Sequence, residues 1–245
     1  MRKIIEDGAK ELGIELTRDA ENKLITYAEL LKEWNNKMNL TAICDDYGIA
    51  VKHFLDSLTP LLTGHVFGKV IDVGTGAGFP GLVLKLAKPE ISLTLLDSLN
   101  KRLKFLREVC ETNSIDDVSF VHARAEDGGH MPGLRESFDT VVSRAVANMT
   151  VLSELCLPFL KIGGYFLALK GPMAEEELND AKRTISILGG ETEGIFECDI
   201  PFTELSHKII IIKKIKKCPI KYPRKPGFAA KNPAKGCYNS SQKRR

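Results

Sequence analysis

The sequence predicts an α/β fold, a mostly parallel seven-stranded sheet with helices on both faces and an N-terminal helical extension. Three observations predict it. From Gly68 onward, short apolar runs alternate with helix-period segments, as in a parallel sheet covered on both sides. The last two apolar runs have no helix between them, which makes them an antiparallel pair at a sheet edge. The first 66 or so residues show helical spacing and no strand pattern.

Within the extension, Leu24, Tyr27, Ala28, Leu31, Trp34 and Met38 recur at three- and four-residue spacing. They form one buried stripe of a helix that Thr17 caps and that reaches about Asn39. A shorter helix ends near Gly13, and another covers residues 47–62. In the sheet region, residues 69–73 read as a buried strand, followed by a glycine turn and a helix through Leu82, Leu86 and Ala87. Residues 91–97 form the second strand, and a helix carrying Leu103, Leu106 and Val109 follows. Residues 118–122 and 138–143 are the third and fourth strands. A helix containing Leu152, Leu155 and Leu160 leads to the fifth, residues 164–170. A helix over 174–188 precedes the closing strands at 194–198 and 208–215.

Apolar content of 43% and charged content of 27% in 245 residues suit one full core with modest appendages. The pattern divides the chain into a helical extension (1–66), a ligand-binding domain (67–217) and a basic tail (218–245). No apolar run approaches the roughly 18–20 residues that span a bilayer. The N-terminus has an acidic pair, Glu6-Asp7, where a signal peptide needs its apolar stretch. The expectation is a cytoplasmic protein without a membrane partner, and nothing demands more than a monomer. The six cysteines form no C-x-x-C pair, so no metal site is expected. Residues 213–245 hold twelve Lys or Arg and no carboxylate, leaving a balance of −9 on the first 212 residues. Such an asymmetry points to a polyanionic partner, the bland alternative being a solvated tail.

The loop Asp72-Val73-Gly74-Thr75-Gly76-Ala77-Gly78 follows the first strand. Gly74, Gly76 and Gly78 read as G-x-G-x-G, and Gly76, Gly78 and Gly81 as G-x-G-x-x-G. In either parse the glycines permit positive φ and let a ligand approach the backbone. Three features favour S-adenosylmethionine over a dinucleotide. Asp72, two residues before the first glycine, can order the loop and reach the amino-acid moiety of the cofactor. Pro80, after Phe79, suits an early helix position and removes an N–H that a pyrophosphate would use. No second catalytic domain follows the sheet to hold a hydride acceptor. Asp97, at the end of the second strand, can accept both ribose hydroxyls, its alternative being a helix cap before Ser98. The backbone of Ala123-Arg124-Ala125-Glu126-Asp127 can read the adenine edge. Strand–helix units closed by an antiparallel hairpin give, by analogy, the Rossmann-like fold of class I methyltransferases.

Several segments together resemble a known family, the bacterial RsmG (GidB) 16S ribosomal RNA guanine-N7 methyltransferases. They are Trp34-Asn35, Asn39-Leu40-Thr41-Ala42-Ile43, His53-Phe54-Leu55-Asp56-Ser57-Leu58 and the run from Asp72 to Gly81. Asp97-Ser98 with Lys101-Arg102 and Phe105-Leu106 follow, then Ala125-Glu126, Ser143-Arg144-Ala145-Val146, Lys170-Gly171 and Tyr222-Pro223-Arg224-Lys225. The resemblance implies cofactor contacts at Gly74, Phe79, Ala125, Glu126 and Arg144. It implies methylation of N7 of the guanine at nucleotide 527, in the 530 loop of the small-subunit RNA, as naked RNA or in an assembling subunit. The match thins after Pro233, and Lys235 to Arg245 look extra.

Guanine N7 carries a lone pair and no proton at neutral pH, so methyl transfer to it needs no general base. Positioning alone can supply roughly 7–11 kcal/mol. Arg144, at the end of the fourth strand, is the residue expected to touch the cofactor or to donate to guanine O6 alone, leaving N7 free. Its alternative is an ion pair with a carboxylate of the sheet. His53 and Asp56 share a helix face at i, i+3, where a satisfied helix–sheet contact is the simpler reading. Lys221, Tyr222, Arg224 and Lys225 are candidates for RNA contact. About five neutralised phosphates in the tail give a salt slope of roughly −3.5 to −4.5. The competing readings are a methyltransferase for another RNA, a protein or a small molecule, and a non-enzymatic nucleotide-binding module.

Overall fold

The computed structural model describes residues 1–144, 146–204, 206–232 and 234. Helices α1 (Arg2–Glu11) and α2 (Arg18–Lys37) open the chain. Thr17 caps α2, its hydroxyl accepting from the Ala20 amide at 3.1 Å. An irregular helical run follows: α3 (Asp46–Gly48), a π-helical stretch Ile49–Leu55, α4 (Asp56–Leu58) and a 3-10 turn Thr59–Thr63. Wide helical turns of this kind re-aim side chains, and this one carries Lys52 and His53.

The strands are β1 (Lys69–Val73), β2 (Ser92–Asp97), β3 (Val118–His122), β4 (Phe138–Arg144), β5 (Leu160–Lys170), β6 (Gly190–Asp199) and β7 (Ser206–Lys214). Between them lie α5 (Gly81–Ala87), α6 (Asn100–Thr112), α7 (Ala125–Gly128), α8 (Met149–Cys156) and α9 (Ala174–Ile187), and α10 (Phe228–Lys231) lies in the tail. The sheet runs β3-β2-β1-β4-β5-β7-β6. β1 pairs in parallel with β2 and β4, and only β7 is antiparallel, against β5 and β6. The order reverses between β1 and β4, which opens the crevice where ligands of such sheets bind.

Several elements differ from the sequence reading: the helix expected over 47–62 is broken into four short helical pieces, and β6 begins at Gly190 rather than 194. Leu160 begins β5 rather than ending a helix, because Pro158 in the 3-10 turn Leu157–Phe159 stops α8. The bulge between Phe138 and Thr140 lets β5 pair four residues earlier than its apolar run suggests. Pro80 is the N-cap of α5, one position before the first helical residue.

One face of the sheet is covered by α5, α6 and the whole extension, whose Ile5, Leu24, Tyr27, Leu31 and Phe54 share a core with Val70, Leu82 and Leu106. Each fully buried Leu there contributes about 1.5–3 kcal/mol. The other face is covered by α8, α9 and part of the tail, through Cys218, Tyr222 and Ala229. The boundaries at 66 and 217 mark changes of sequence pattern within one packed body. Lys235 to Arg245 fall outside the described residues, as does Ala145 of the Ser143-Arg144-Ala145-Val146 segment. Among the described residues no helix is long and apolar enough to cross a membrane.

Candidate active site

The glycine loop leaves β1 beside the end of β2, where the Gly74 and Thr75 amides donate to the Leu96 carbonyl at 2.9 and 3.1 Å. Beneath it, Asp72 accepts from the Thr75 hydroxyl at 2.7 Å and the Gly81 amide at 2.9 Å through one oxygen. Its other oxygen is buried without a partner. Full burial pushes this carboxyl up to about 6 despite those two hydrogen bonds. Asp72 therefore orders the loop as expected, but from below: it is completely buried and does not reach the cavity above.

Gly74, Gly76 and Gly78 all have positive φ, yet they do different work. Gly74 and Gly76 line a cavity of about 460 Å³. A Cβ on Gly76 would meet only the Gly74 carbonyl, 4.0 Å away, so it would project into that space. Gly78 does not line the cavity. A Cβ there would collide with the Tyr27 hydroxyl and lie 2.7 Å from Leu106, so its bareness admits the extension rather than a ligand. Tyr27, fully buried, donates to the Ala77 carbonyl and stacks on Phe79 at 5.5 Å. Sequence spacing identifies Tyr27 as a stripe residue and gives no sign of this contact.

The rest of the wall comes from Phe79, Asp97, Ser98 and residues 123–126. Asp97 already accepts the Gly76 amide at 2.9 Å, the Leu99 amide at 2.8 Å and Arg102 at 3.2 Å. A carboxylate has about four lone-pair sites, so one hydroxyl can be accepted directly and a second only if Arg102 turns away. Glu126 receives the Gly227 amide at 3.1 Å, which ties this side of the cavity to the tail. Leu40 and Thr41 close the opposite side. Asn35 holds them there, its amide oxygen accepting both their N–H groups at 2.7 and 2.9 Å and its nitrogen donating to the Thr41 carbonyl at 2.9 Å.

A second cavity, about 660 Å³, adjoins the first. The two share His53, Arg144 and Val146. The Arg144 guanidinium lies 5.1 Å from the centre of the Phe79 ring, and the His53 ring stacks on the same ring at 4.5 Å. Arg144 bonds Asp56 at 2.5 Å and the Lys52 carbonyl at 3.2 Å. It is thus ion-paired, but to the extension rather than to a carboxylate of the sheet. The other Asp56 oxygen takes Nδ1 of His207 at 2.5 Å. Burial alone would raise the Asp56 carboxyl, but His207 and Arg144 hold it below the usual range, so it is ionised. The Asp56 hydrogen bond raises His207 in turn. Burial and the Arg144 charge push His53 down to about 4. Arg144 can only donate, so His53 accepts at Nδ1 (3.4 Å) and carries its proton on Nε2 toward the Thr41 hydroxyl (2.8 Å). His53 and Asp56 are satisfied contacts and also line the cavities. His207 and the Lys170–Glu177 pair, 2.6 Å apart, line the second cavity as well, and only the Lys170-Gly171 segment hinted at them.

The basic tail is docked. Arg135 donates to the Cys218 and Tyr222 carbonyls at 2.9 and 2.7 Å. Tyr222 is buried, and Arg224 forks onto the buried Glu154 at 2.8 and 2.5 Å. Tyr222 thus packs, while Arg224, though paired, stays partly exposed and lines a cavity. Lys221 and Lys225 are exposed and border a third cavity of about 430 Å³ that also contains Glu126 and Phe228. Among the described residues no group of three or more His, Cys, Asp or Glu is arranged to hold a metal ion.

The model of the family described as rRNA small subunit methyltransferase G (GidB) matches residues 20–205. Ribosomal RNA small subunit methyltransferase G of Alkaliphilus oremlandii is 52% identical over 237 residues, which is 96% of this chain and 99% of that one. The protein of that name in Clostridium kluyveri is 49% identical over 235 residues, 94% of this chain and 97% of that one. Among solved structures, M. jannaschii TYW2 in complex with AdoMet is similar with a TM-score of 0.51 at 15% identity, over 66% of this chain and 76% of that one. TrmN from Thermus thermophilus is similar with a TM-score of 0.50 at 18% identity, over 68% and 53%. These two likenesses speak to the fold alone. With its near-complete relatives and the matched sheet region, the chain belongs to the rRNA small subunit methyltransferase G family.

Proposed function

We propose that this protein transfers the methyl group of S-adenosylmethionine to N7 of a guanine in 16S ribosomal RNA, the guanine at nucleotide 527 of the 530 loop. The observation that carries the reading is the meeting of two cavities at His53, Arg144 and Val146. A donor and an acceptor that react by in-line displacement need adjoining chambers with a shared wall.

The first cavity fits the donor. Its volume is in the range of small-molecule sites. Gly76 leaves room at the backbone, and Asp72 is an under-compensated buried carboxylate below the loop. A cationic ligand above that loop offsets the cost of the buried charge. Bound there, S-adenosylmethionine supplies a methyl group made electrophilic by its sulfonium. Gly74, Gly76 and Phe79 would hold its amino-acid end, Asp97 a ribose hydroxyl, and Ala125 and Glu126 the adenine side. Gly78 supports the loop from behind.

Arg144 sets the acceptor. Both hydrogens of its Nη1 are taken by Asp56 and the Lys52 carbonyl, and Nη2 faces His53. The remaining N–H groups can donate to guanine O6 and leave N7 open toward the donor. No proton leaves N7, so the reaction requires no base. Lys221 and Lys225 would meet phosphates of the flanking RNA, in free RNA or in an assembling subunit, with the protein as a monomer. Mapping N7-methylguanine in 16S RNA with and without the protein tests the reading. Methylation absent at nucleotide 527 in both samples would overturn it.

A further inference from the structure

His207 belongs to no motif and is not needed to bind the donor. It comes from β7, beside Asp56 of α4, and its ring is half-buried in the wall of the second cavity. Asp56 accepts only, so the Nδ1 that meets it at 2.5 Å carries a proton. That leaves Nε2 as the ring nitrogen available to a ligand, and protonation decides what it offers. The imidazolium presents a donor N–H there, and the neutral ring presents a lone pair.

Resting on the guanine-N7 reading above, we propose that His207 is a specificity-determining residue of the acceptor cavity: anchored by Asp56, its imidazolium donates from Nε2 to a carbonyl oxygen on the acceptor base and disfavours a base with an amino group there. Guanine carries that carbonyl as O6, beside N7, and adenine carries an amino group. In the neutral ring Nε2 accepts, and the preference weakens.

The other charged and titratable groups around His207 do not switch in the same range. Facing it are Asp56 and His53 from the irregular helical run, with Lys52 beside them, Arg144 from β4, Lys170 from β5, Glu177 from α9 and Cys198 from the paired β6. Asp56 is held ionised, His53 is pushed down to about 4 and stays neutral, and burial raises the Cys198 thiol. Arg144 and Lys170 are each ion-paired, to Asp56 and to Glu177. N7 itself has no proton to lose. A change of base preference between slightly acidic and slightly alkaline pH therefore reports on His207. The Asp56 hydrogen bond raises His207 above the ordinary histidine value, so the preference holds below that raised value and fades as pH rises through it.

The test uses the full chain and ligated 16S RNA carrying guanine, inosine or 2,6-diaminopurine at the target. Inosine keeps O6, and 2,6-diaminopurine replaces it with an amino group. Single-turnover rates are measured at pH 6 and pH 8.5 for the wild type and for His207→Gln, with donor affinity measured by calorimetry. The expected result for the wild type is equal use of guanine and inosine. Its guanine preference over 2,6-diaminopurine should shrink roughly tenfold from pH 6 to 8.5. In His207→Gln the ratio should fall to the level that Arg144 alone maintains and be flat with pH, with donor affinity within about twofold of the wild type, because an amide can donate or accept and does not titrate. A wild-type preference that is flat with pH overturns the inference, and that arm stands even if the variant fails to fold. A folded variant with the wild-type profile overturns it too. Failure of the wild type to methylate any 16S guanine is a different outcome, since it removes the functional reading beneath the inference.

Discussion

The two cavities that meet at Arg144 are built by different means. The proposed donor cavity is built around the glycine loop, with Gly74, Gly76 and residues 123–126 in its lining, and Asp72 is hidden below. The acceptor cavity is made of charged side chains from separate elements: Lys52, Asp56, Arg144, Lys170, Glu177 and His207. A loop-built site is set by local chain geometry and tolerates only changes that respect it. A side-chain site is set by pairing, so it responds to charge and pH. The two should even respond in opposite directions. Asp72 becomes a better partner for a cationic donor as pH rises through about 6, whereas His207 loses its donor N–H as pH rises.

The largest expected effect is at the shared wall. Arg144→Ala should lower the single-turnover methylation rate about a hundred- to thousandfold, as loss of a preorganised donor does. It should also destabilise the fold by about 3 kcal/mol, because Asp56 remains buried with His207 alone. Arg144→Lys should rescue little, since a lysine cannot reproduce the fork. A near wild-type rate in Arg144→Ala with donor binding intact would remove Arg144 from the acceptor site.

Salt dependence separates the tail from both cavities. Arg224 is paired, Lys214 is buried and Lys213 is half-buried over the Tyr165 ring, so the exposed Lys216, Lys217, Lys221 and Lys225 are the cations to count between 213 and 225. Four neutralised phosphates give a log–log slope of about −3 for RNA affinity, or roughly sixtyfold between 50 and 200 mM salt. A slope near zero would assign the tail a purely structural role.

Within the glycine loop, Gly78→Ala and Gly76→Ala should part company. Gly78→Ala should cost about 2 kcal/mol in urea unfolding, through positive φ and collision with Tyr27 and Leu106. Gly76→Ala should cost about 1 kcal/mol of stability and show its main effect in calorimetric donor affinity. Equal losses of stability would erase the distinction between the ligand-facing and core-facing glycines.

The smallest expected effect is the pH dependence of donor binding. The Asp72 carboxyl is raised in the free protein, so at pH 5 it is mostly protonated and the loop has lost its buried negative charge. Donor affinity should fall about tenfold from pH 7 to pH 5, the size of one unit of linked protonation. The same shift makes the unliganded fold lose stability as pH rises from about 4 to 6, since the folded state holds the proton there and the unfolded state does not. Affinity that does not change over this range would detach Asp72 from the donor.

The loop residues Gly74 and Gly76, and Asp97 at the end of β2, were legible in the sequence because each stands at or within a few residues of a strand end, and a strand end fixes where a turn must go. Gly78 was legible as a loop glycine but not as a packing glycine, because the hydroxyl it accommodates comes from Tyr27. The pairing of Arg224 was not legible, because charge is visible in a sequence and its partner is not. Glu154, which claims Arg224, lies 70 positions away in α8.

Taken alone, the sequence determined the strand–helix alternation, the edge hairpin, the glycine loop and the resemblance to its family. All of these depend on periodicity and on residues near one another in the chain. The tertiary structure alone decided that Asp56 would join Arg144, 88 positions on, to His207, 151 positions on. It also decided that the extension would supply the floor of the loop through Tyr27. The physical reason is that local spacing fixes which face of an element is apolar, but not which element comes to cover it. That choice follows from sheet order and from the need of each buried charge for a partner, and both are settled only when the whole core is packed.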